Sequence, residues 1–403
     1  MHKYVNTLCK KKACLGCGLC IAKDSIHKME LCQDGYYHPS DSAIIDPQFK
    51  KYCPGLGIYQ NAPQKTNQEI LYGPLASPVI CGHATDNVIN YQASSGGIIT
   101  TLCIYLLENR IVDGVLQVRQ SHENPIRTEA HLSMTRKEIL ECMGSRYAPC
   151  SLFENLHNYL STGYKLAVVG KPCDIAALKQ YMTVYPERTR NILVTFSMMC
   201  MGLPSQTATK EMCKSLGIDP DNVKNVRYRG FGWPGQAMVE SCDGEKRECS
   251  YIESWGAILG RDTLFRCKLC PNGFGEFADI TCGDAWYCES DNPKFDSNKA
   301  GRSFIFARSQ KGKELIDRVI EEGKIVVESY DMSEMPLIQN SQYQRKINIP
   351  IRYVLYKMLV NPKFCLKGFH LIHLCRIAGL QSLIKDGRGF LGRWWRSYKG
   401  HKK

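Results

Sequence analysis

Cys14, Cys17 and Cys20 are spaced Cys-x2-Cys-x2-Cys, with Gly16 and Gly18 between them. On backbone that turns at the glycines, thiolates at this spacing can be aimed at one metal centre while amide N–H groups face their sulfurs. A [4Fe–4S] cube needs one ligand per iron, and two-cluster ferredoxins draw the fourth from a distant Cys-Pro. Cys53-Pro54 supplies that pair. Lys23 and Asp24 occupy the region where a local fourth cysteine would stand, so the segment reads as a ferredoxin module that keeps one cluster and has lost ligands for another. Cys9 and Cys32 are substitutes for Cys53, an irregular second cluster stays open, and a zinc knuckle is the competing use of this spacing.

Two further thiols stand close together in Cys267-Lys268-Leu269-Cys270-Pro271. Cys173, in Gly170–Asp174, and Cys200, in Cys200–Ser205, each follow an apolar run that reads as a buried strand. Strand-end loops are where an α/β sheet gathers ligands, so Cys173, Cys200, Cys267 and Cys270 are expected to converge on a second cluster. Half a zinc ribbon, or ordinary buried cysteines, are the alternatives. Cys282 and Cys288 lack this spacing and are expected to be inert. Ser94, Ser95, Gly96 and Gly97 precede a helix-like run, where small residues let amides approach an anion and the helix N-terminus favours negative charge. A tight turn into the helix is the plainer reading of the same four residues.

The elements that position these groups follow from the pattern of apolar residues. A helix is expected over Ile98–Asn109, strands over Val112–Val118, Leu166–Gly170 and Asn191–Phe196, and a helix from Pro172 to about Gln180. The expected division is a ferredoxin-like iron–sulfur module at 1–70, an α/β core at 71–339 and a basic, mainly helical extension at 340–403. With 403 residues, 44% of them hydrophobic and 23% charged, the chain can bury a substantial core. Its 21 cysteines, odd in number and closely spaced at the N-terminal end, favour metal ligation in a reducing compartment over a disulfide scaffold.

The net charge is +13, and Arg345–Lys403 holds 14 Lys or Arg against one acidic residue, Asp386, so the remaining chain is formally neutral. A neutral body without a base-reading module argues against nucleic acid. No apolar run reaches the roughly 20 residues that span a bilayer. The tail instead mixes Trp394, Trp395 and Tyr398 with cations, the pattern of a peripheral contact with an anionic membrane, with docking to an acidic protein or a merely soluble tail as the alternatives. A cytoplasmic protein is expected, with the inner face of the cell membrane as one surface for the tail.

Taken together, CLGCGLC at Cys14–Cys20, Cys53-Pro54, SSGG at Ser94–Gly97, GSRY at Gly144–Tyr147, GKPCDIAAL at Gly170–Leu178, CMGLPS at Cys200–Ser205 and the run from Arg266 to Tyr287 resemble the beta-subunit family of coenzyme F420-reducing hydrogenase and dehydrogenase. The resemblance covers roughly residues 10–330. It implies an iron–sulfur flavoprotein with FAD beside a [4Fe–4S] cluster, here two clusters, and a ferredoxin-like segment feeding electrons inward. Ser94–Gly97, Gly144, Ser145 and Arg146 would then hold the diphosphate, with Lys171 facing it or a flavin carbonyl. Asp279, Thr281, Gly283 and Asp284 would lie near the flavin or cluster, Lys171, Asp279 and Asp284 being the catalytic candidates, and Trp286 would cover a ring or pack in the core.

The degenerate module and long basic tail are most similar to the family's branch associated with surface-polysaccharide synthesis. That branch implies electrons passed from ferredoxin or another reductase to a sugar nucleotide or lipid-linked sugar, with self-association as a further option. A redox-neutral sugar epimerase and an electron-transfer subunit of a larger redox complex are the alternative functions.

Overall fold

Leu166–Gly170 has all five residues out of water, the signature of a strand covered on both faces. It lies inside an eight-stranded sheet in a computed structural model that describes residues 2–24, 26, 28–289, 292–294 and 299–398. The strands are β1 Ile80–Ala84, β2 Gly114–Gln120, β3 Thr128–Ser133, β4 Leu166–Gly170, β5 Ile192–Met198, β6 Ile280–Asp284, β7 Ser303–Ala307 and β8 Ile325–Ser329, in the spatial order β8-β1-β7-β6-β5-β4-β2-β3. Strands β2, β4, β5 and β6 form a parallel centre. Antiparallel β3 closes one side, and β7, β1 and β8 close the other. The fold is therefore mixed α/β.

Helix α1 (Ile98–Glu108) enters from Gly97, whose φ of 74° puts it in the left-handed region that a side chain would strain. Helix α2 (Pro172–Val184) starts directly off β4 with Pro172 in its first turn, where a missing N–H costs nothing. Helix α3 (Gln310–Glu321) is capped by the Ser309 hydroxyl, which accepts from the Gly312 amide. These helices and the sheet enclose a core that includes Leu102, Val115, Phe196, Ile280 and Val319. The sequence expectations for β4, β5, α1 and α2 agree with the observed elements to within a few residues.

The C-terminal stretch is built onto the body. Helices α4 (Asn340–Ile347), α5 (Ile349–Leu359) and α6 (Leu371–Tyr398, kinked at Gly379) pack Tyr356, Phe390 and Trp394 against Phe265 and Leu269. Within the extension expected to be mainly helical, Cys365–Lys367 is a strand that pairs in parallel with Gly57–Tyr59 of the N-terminal segment. Gly368, at φ 77°, ends that strand where a Cβ would run into the Gln60 carbonyl. Tyr398 donates to the Lys11 carbonyl, and the Lys12 ammonium donates to the Ser397 carbonyl at 2.9 Å, so the last turn of α6 is clasped to the N-terminal segment.

Much of the tail's charge is structural: Lys346 is buried against Glu276, and Arg352 pairs with Asp386 at 2.6 Å. Of the aromatic residues expected at a membrane, Trp394 and Tyr398 pack inward while Trp395 is 58% exposed. Residues 399–403 of the tail and the side chain of Cys288 lie outside the described residues. Among the described residues no helix is long and apolar enough to cross a membrane.

Candidate redox site

Gly16 and Gly18, at φ 70° and 82°, turn the backbone between the three N-terminal cysteines as the spacing requires. A Cβ on Gly18 would strike the Glu154 backbone, so the loop is pressed onto the body, where the Phe153 amide donates to the Cys17 carbonyl at 2.9 Å. Cys53 returns from the far side of the module. The thiols of Cys14, Cys17, Cys20 and Cys53 are near enough to raise one another's pKa. Burial and the Cys14 thiol push Cys53 up to about 12, against the amides of Gly55 and Leu56, which point at its sulfur. Four buried thiols in this arrangement ionise together only beside a cation.

Asp24 accepts from the Ile26 amide at 3.0 Å and the Ile44 amide at 2.6 Å, and the Asp46 amide donates to the Cys20 carbonyl at 2.8 Å. Backbone bonds thus tie the Lys23–Asp24 segment down, next to a core that holds Ile21, Ala22, Ala43, Ile45 and Phe49. Cys9 and His38 stand on the other side of Cys14. The ligand atoms of Cys9, Cys14 and His38 lie within 4.8 Å of one another, a Cys/His group able to hold a metal. His38 is oriented by Asp34 at 2.8 Å and has a buried Nδ1 without a partner. Cys32 is exposed.

The four body cysteines converge: Cys173, Cys200, Cys267 and Cys270 line one cavity together with Lys171, Arg266 and Arg345. Cys173 comes from the first turn of α2 and Cys200 from the end of β5, on neighbouring parallel strands. An isolated bridge between Pro204 and Thr263, and a bond from the Leu264 amide to the Leu203 carbonyl at 2.9 Å, bring the Phe265–Leu269 turn and its thiols to them. The Leu203 amide donates to the Cys267 sulfur at 3.4 Å. Burial and the Cys267 thiol push Cys200 up to about 12, opposed by Arg345.

The two cysteine sets are neighbours. Leu15, between Cys14 and Cys17, lines the inner cavity and packs in the same small core as Cys267 and Leu203. On its other side the inner set touches β6, because the Met199 amide donates to the Cys282 carbonyl at 2.8 Å and a Cβ on Gly283 would strike the Met199 side chain.

Beyond β6 lies a wall of rings around Arg229. Its guanidinium sits 5.1, 4.6 and 5.0 Å from the ring centres of Trp233, Tyr251 and Trp286. It donates to Asp284 at 2.7 Å and to the Pro234 carbonyl at 2.7 Å. The Ser94 hydroxyl accepts from the Ser145 amide at 2.7 Å and donates to the Arg229 carbonyl at 3.4 Å, joining Ser94, Gly144, Ser145 and Asp284 in one place. Three buried donors there have no partner: Arg227 Nε, Arg229 Nη2 and Trp233 Nε1. Such donors call for acceptors that the protein does not supply.

Other sequence candidates are engaged elsewhere. The Gly96 amide donates to the Ser303 hydroxyl at 2.9 Å, and the Ser95 hydroxyl donates to the Arg302 carbonyl at 2.9 Å, so this part of the motif is spent on packing the turn before α1 against β7. Arg146 donates to the carbonyls of Val226 and Arg127 at 2.7 and 3.1 Å. Thr281 donates to the Gly275 carbonyl at 2.7 Å. Asp279 accepts from Thr195 and Ser309 and pairs with Lys179 at 3.2 Å and Lys311 at 3.3 Å. Lys171 faces the inner cysteine cavity and holds Asp174 at 2.6 Å; burial works against its charge, but Asp174 together with the Cys173 and Cys150 thiols outweighs it and raises the pKa. Arg229, Arg266, Arg345, Trp233 and His38 carry no sequence signal beyond Arg266 preceding Cys267 and Arg229 opening a glycine-rich run.

Two family models match: "Coenzyme F420 hydrogenase/dehydrogenase, beta subunit N-term" over residues 79–157 and the corresponding C-terminal model over residues 163–333. A coenzyme F420 hydrogenase subunit beta from Methanosarcina barkeri is 30% identical over 252 residues, covering 60% of this chain and 79% of the relative. An F420-dependent formate dehydrogenase subunit beta from Methanocaldococcus jannaschii is 27% identical over 247 residues, 60% of each chain, so the chain spans less than two thirds of that relative. In fold, it is similar to a chain of the F420-reducing [NiFe] hydrogenase complex from Methanosarcina barkeri, with a TM-score of 0.53 at 20% identity over 70% of this chain and 94% of that one.

These relatives correct the expected polysaccharide-associated branch: they are hydrogenase and formate dehydrogenase subunits, and neither the sugar substrate, the ferredoxin-to-sugar route nor the epimerase has a counterpart among them. An electron-transfer subunit of a larger redox complex is the expectation that fits. The chain belongs to the coenzyme F420 hydrogenase/dehydrogenase beta-subunit family.

Proposed function

We propose that this chain is the subunit of an F420-linked redox complex that passes electrons between a partner redox subunit and a deazaflavin, through two [4Fe–4S] centres and FAD. The observation that carries the reading is the convergence of Cys173, Cys200, Cys267 and Cys270 on one cavity that touches Leu15 of the outer loop. The donor sets suit clusters: each offers four thiols, and amides from Gly55, Leu56 and Leu203 point at sulfur, the contacts that tune a cluster's potential. For FAD, the unpartnered donors of Arg227, Arg229 and Trp233 beside Ser94, Gly144 and Ser145 suit a ligand rich in acceptor oxygens.

When bound, clusters exchange electrons singly and a flavin exchanges them singly or as a pair with a proton. The chain's residues do the positioning. Cys14, Cys17, Cys20 and Cys53 hold the outer centre on the body through the Cys17–Phe153 contact. Cys173, Cys200, Cys267 and Cys270 hold the inner one at the sheet's strand ends. Asp284 fixes Arg229, and the tilted pair of Trp233 and Trp286, 4.4 Å between ring centres, keeps water from that guanidinium. The division into a module at 1–70, a core at 71–339 and an extension at 340–403 is proposed with this reading.

Anaerobic purification with iron, sulfide and flavin counted per chain, followed by viologen-driven reduction of F420, tests the proposal. About eight irons and one flavin are expected from two cubes and one FAD, with F420 bleached on reduction. A folded chain free of iron and flavin would overturn the reading.

A further inference from the structure

Arg266 is 1% exposed and immediately precedes Cys267. One arm of its guanidinium donates to the Pro54 carbonyl at 3.0 Å, next to Cys53 of the outer set. The other arm donates to the Leu269 carbonyl at 3.2 Å, next to Cys270 of the inner set, and the side chain lines the inner cavity. Its Nε has no partner, and its outer face is covered by the Phe364 ring at 4.4 Å, which seals it from solvent.

Arg345 differs in reach. It donates to the carbonyls of Met201 at 2.7 Å, Cys200 at 2.5 Å and Cys267 at 3.4 Å, all around the inner set. Among the described residues both guanidiniums bond only backbone carbonyls. A buried cation without a carboxylate is expensive unless another negative charge faces it. Four thiolates around a cube carry net negative charge, which grows by one on reduction, so a fixed cation stabilises the reduced form and raises the potential.

Resting on the two-centre reading above, we propose that Arg266 is a shared positioning cation, set between the two cysteine sets so that one buried charge raises the reduction potentials of both centres together. Arg345 serves the inner centre alone. A shared cation keeps two successive carriers in step, since a change in its field moves both and leaves the driving force between them nearly unchanged. Electron flow between the centres then depends on their different surroundings, with Arg345 contributing to the inner one.

The test is a redox titration of the anaerobically purified full chain, followed by electron paramagnetic resonance. Arg266→Gln should lower both midpoints by at least a tenfold change in the reduced-to-oxidised ratio, about 59 mV for a one-electron couple. Arg345→Gln should lower only the inner midpoint, and Arg266→Lys, which keeps the charge, should leave both within roughly threefold of the wild type. Loss of both centres from Arg266→Gln with both retained in Arg266→Lys also supports the shared role. The proposal is overturned if Arg266→Gln keeps both centres but shifts one or neither, if it loses one centre only, or if Arg266→Lys loses iron as well, which would make shape rather than charge the requirement. A wild-type chain with fewer than two centres would instead defeat the functional reading before Arg266 is at issue.

Discussion

The Tyr36 hydroxyl donates to the Leu203 carbonyl at 3.2 Å, and the amide of the same Leu203 donates to the Cys267 sulfur at 3.4 Å. A tyrosine of the N-terminal segment thereby holds the residue whose amide faces the Cys267 thiol. Tyr36→Phe keeps the ring but removes one of the two donors to the Leu203 carbonyl, leaving the Leu264 amide at 2.9 Å, which costs about 1 kcal/mol. Anaerobic urea unfolding should show that loss at unchanged iron content, while the resonance signal of the inner centre broadens as Leu203 gains freedom.

The separate ligand sets predict separable losses. Cys17→Ser removes an outer thiol and Cys267→Ser an inner one, and each should take iron from about eight to about four per chain, given four irons per cube. The surviving signal identifies the centre that remains. Cys17→Ser should slow reduction from the partner side while leaving the inner centre reducible by a small viologen. Identical spectra from the two variants would contradict the division between outer and inner sites.

The residues that were legible in the sequence are those whose geometry is local. Cys14, Cys17 and Cys20 depend on turns at Gly16 and Gly18, and Cys173 and Cys200 follow apolar strands that are adjacent in the sheet. The Cys267 pair could be joined to them only by assuming convergence, which the Pro204–Thr263 bridge brings about. Arginines that bond carbonyls have no motif, so Arg229, Arg266 and Arg345 were silent. The Ser94–Gly97 run shows the opposite limit: small residues before a helix suit an anion or a tight packing contact equally, and Gly96 is committed to Ser303. Charge counting located the cations of the tail but not the partners that bury them.

Asp279 is built as a structural anion. Burial pushes its carboxyl up, but Lys179 and Lys311, with Thr195 and Ser309, outweigh that and hold it below the usual carboxylate range. A folded-state pKa below the unfolded one gives stability that is complete above about pH 4 and is lost as pH falls through the folded value. Asp279→Asn should therefore cost roughly 2 kcal/mol at neutral pH, by weakening charge-assisted bonds. Its difference from wild type should shrink in acid, checked by denaturant unfolding across pH 3–7. Iron and flavin content should not change, because no cysteine or ring-wall residue touches this carboxylate among the described residues.

Lys346 and Glu276 form an ion pair whose side chains are 1% and 0% exposed, joining α4 to the core. Gln64 donates to the same carboxylate at 3.3 Å, and the Lys346 ammonium lies 4.9 Å from the Phe369 ring centre. Removing one partner leaves the other charged in a dry site, so Lys346→Met should cost about 3–5 kcal/mol. Glu276→Gln combined with Lys346→Met removes both charges and should recover most of that loss, since Gln64 can still bond the amide. The same helix carries Arg345, whose three carbonyl bonds hold the inner cysteine loops. Lys346→Met should therefore loosen iron at the inner centre before the outer, and the double variant should restore retention along with stability. Chelator-driven iron loss followed beside thermal unfolding checks both, and a single variant as stable as the wild type would show that the pair does not anchor the C-terminal helices.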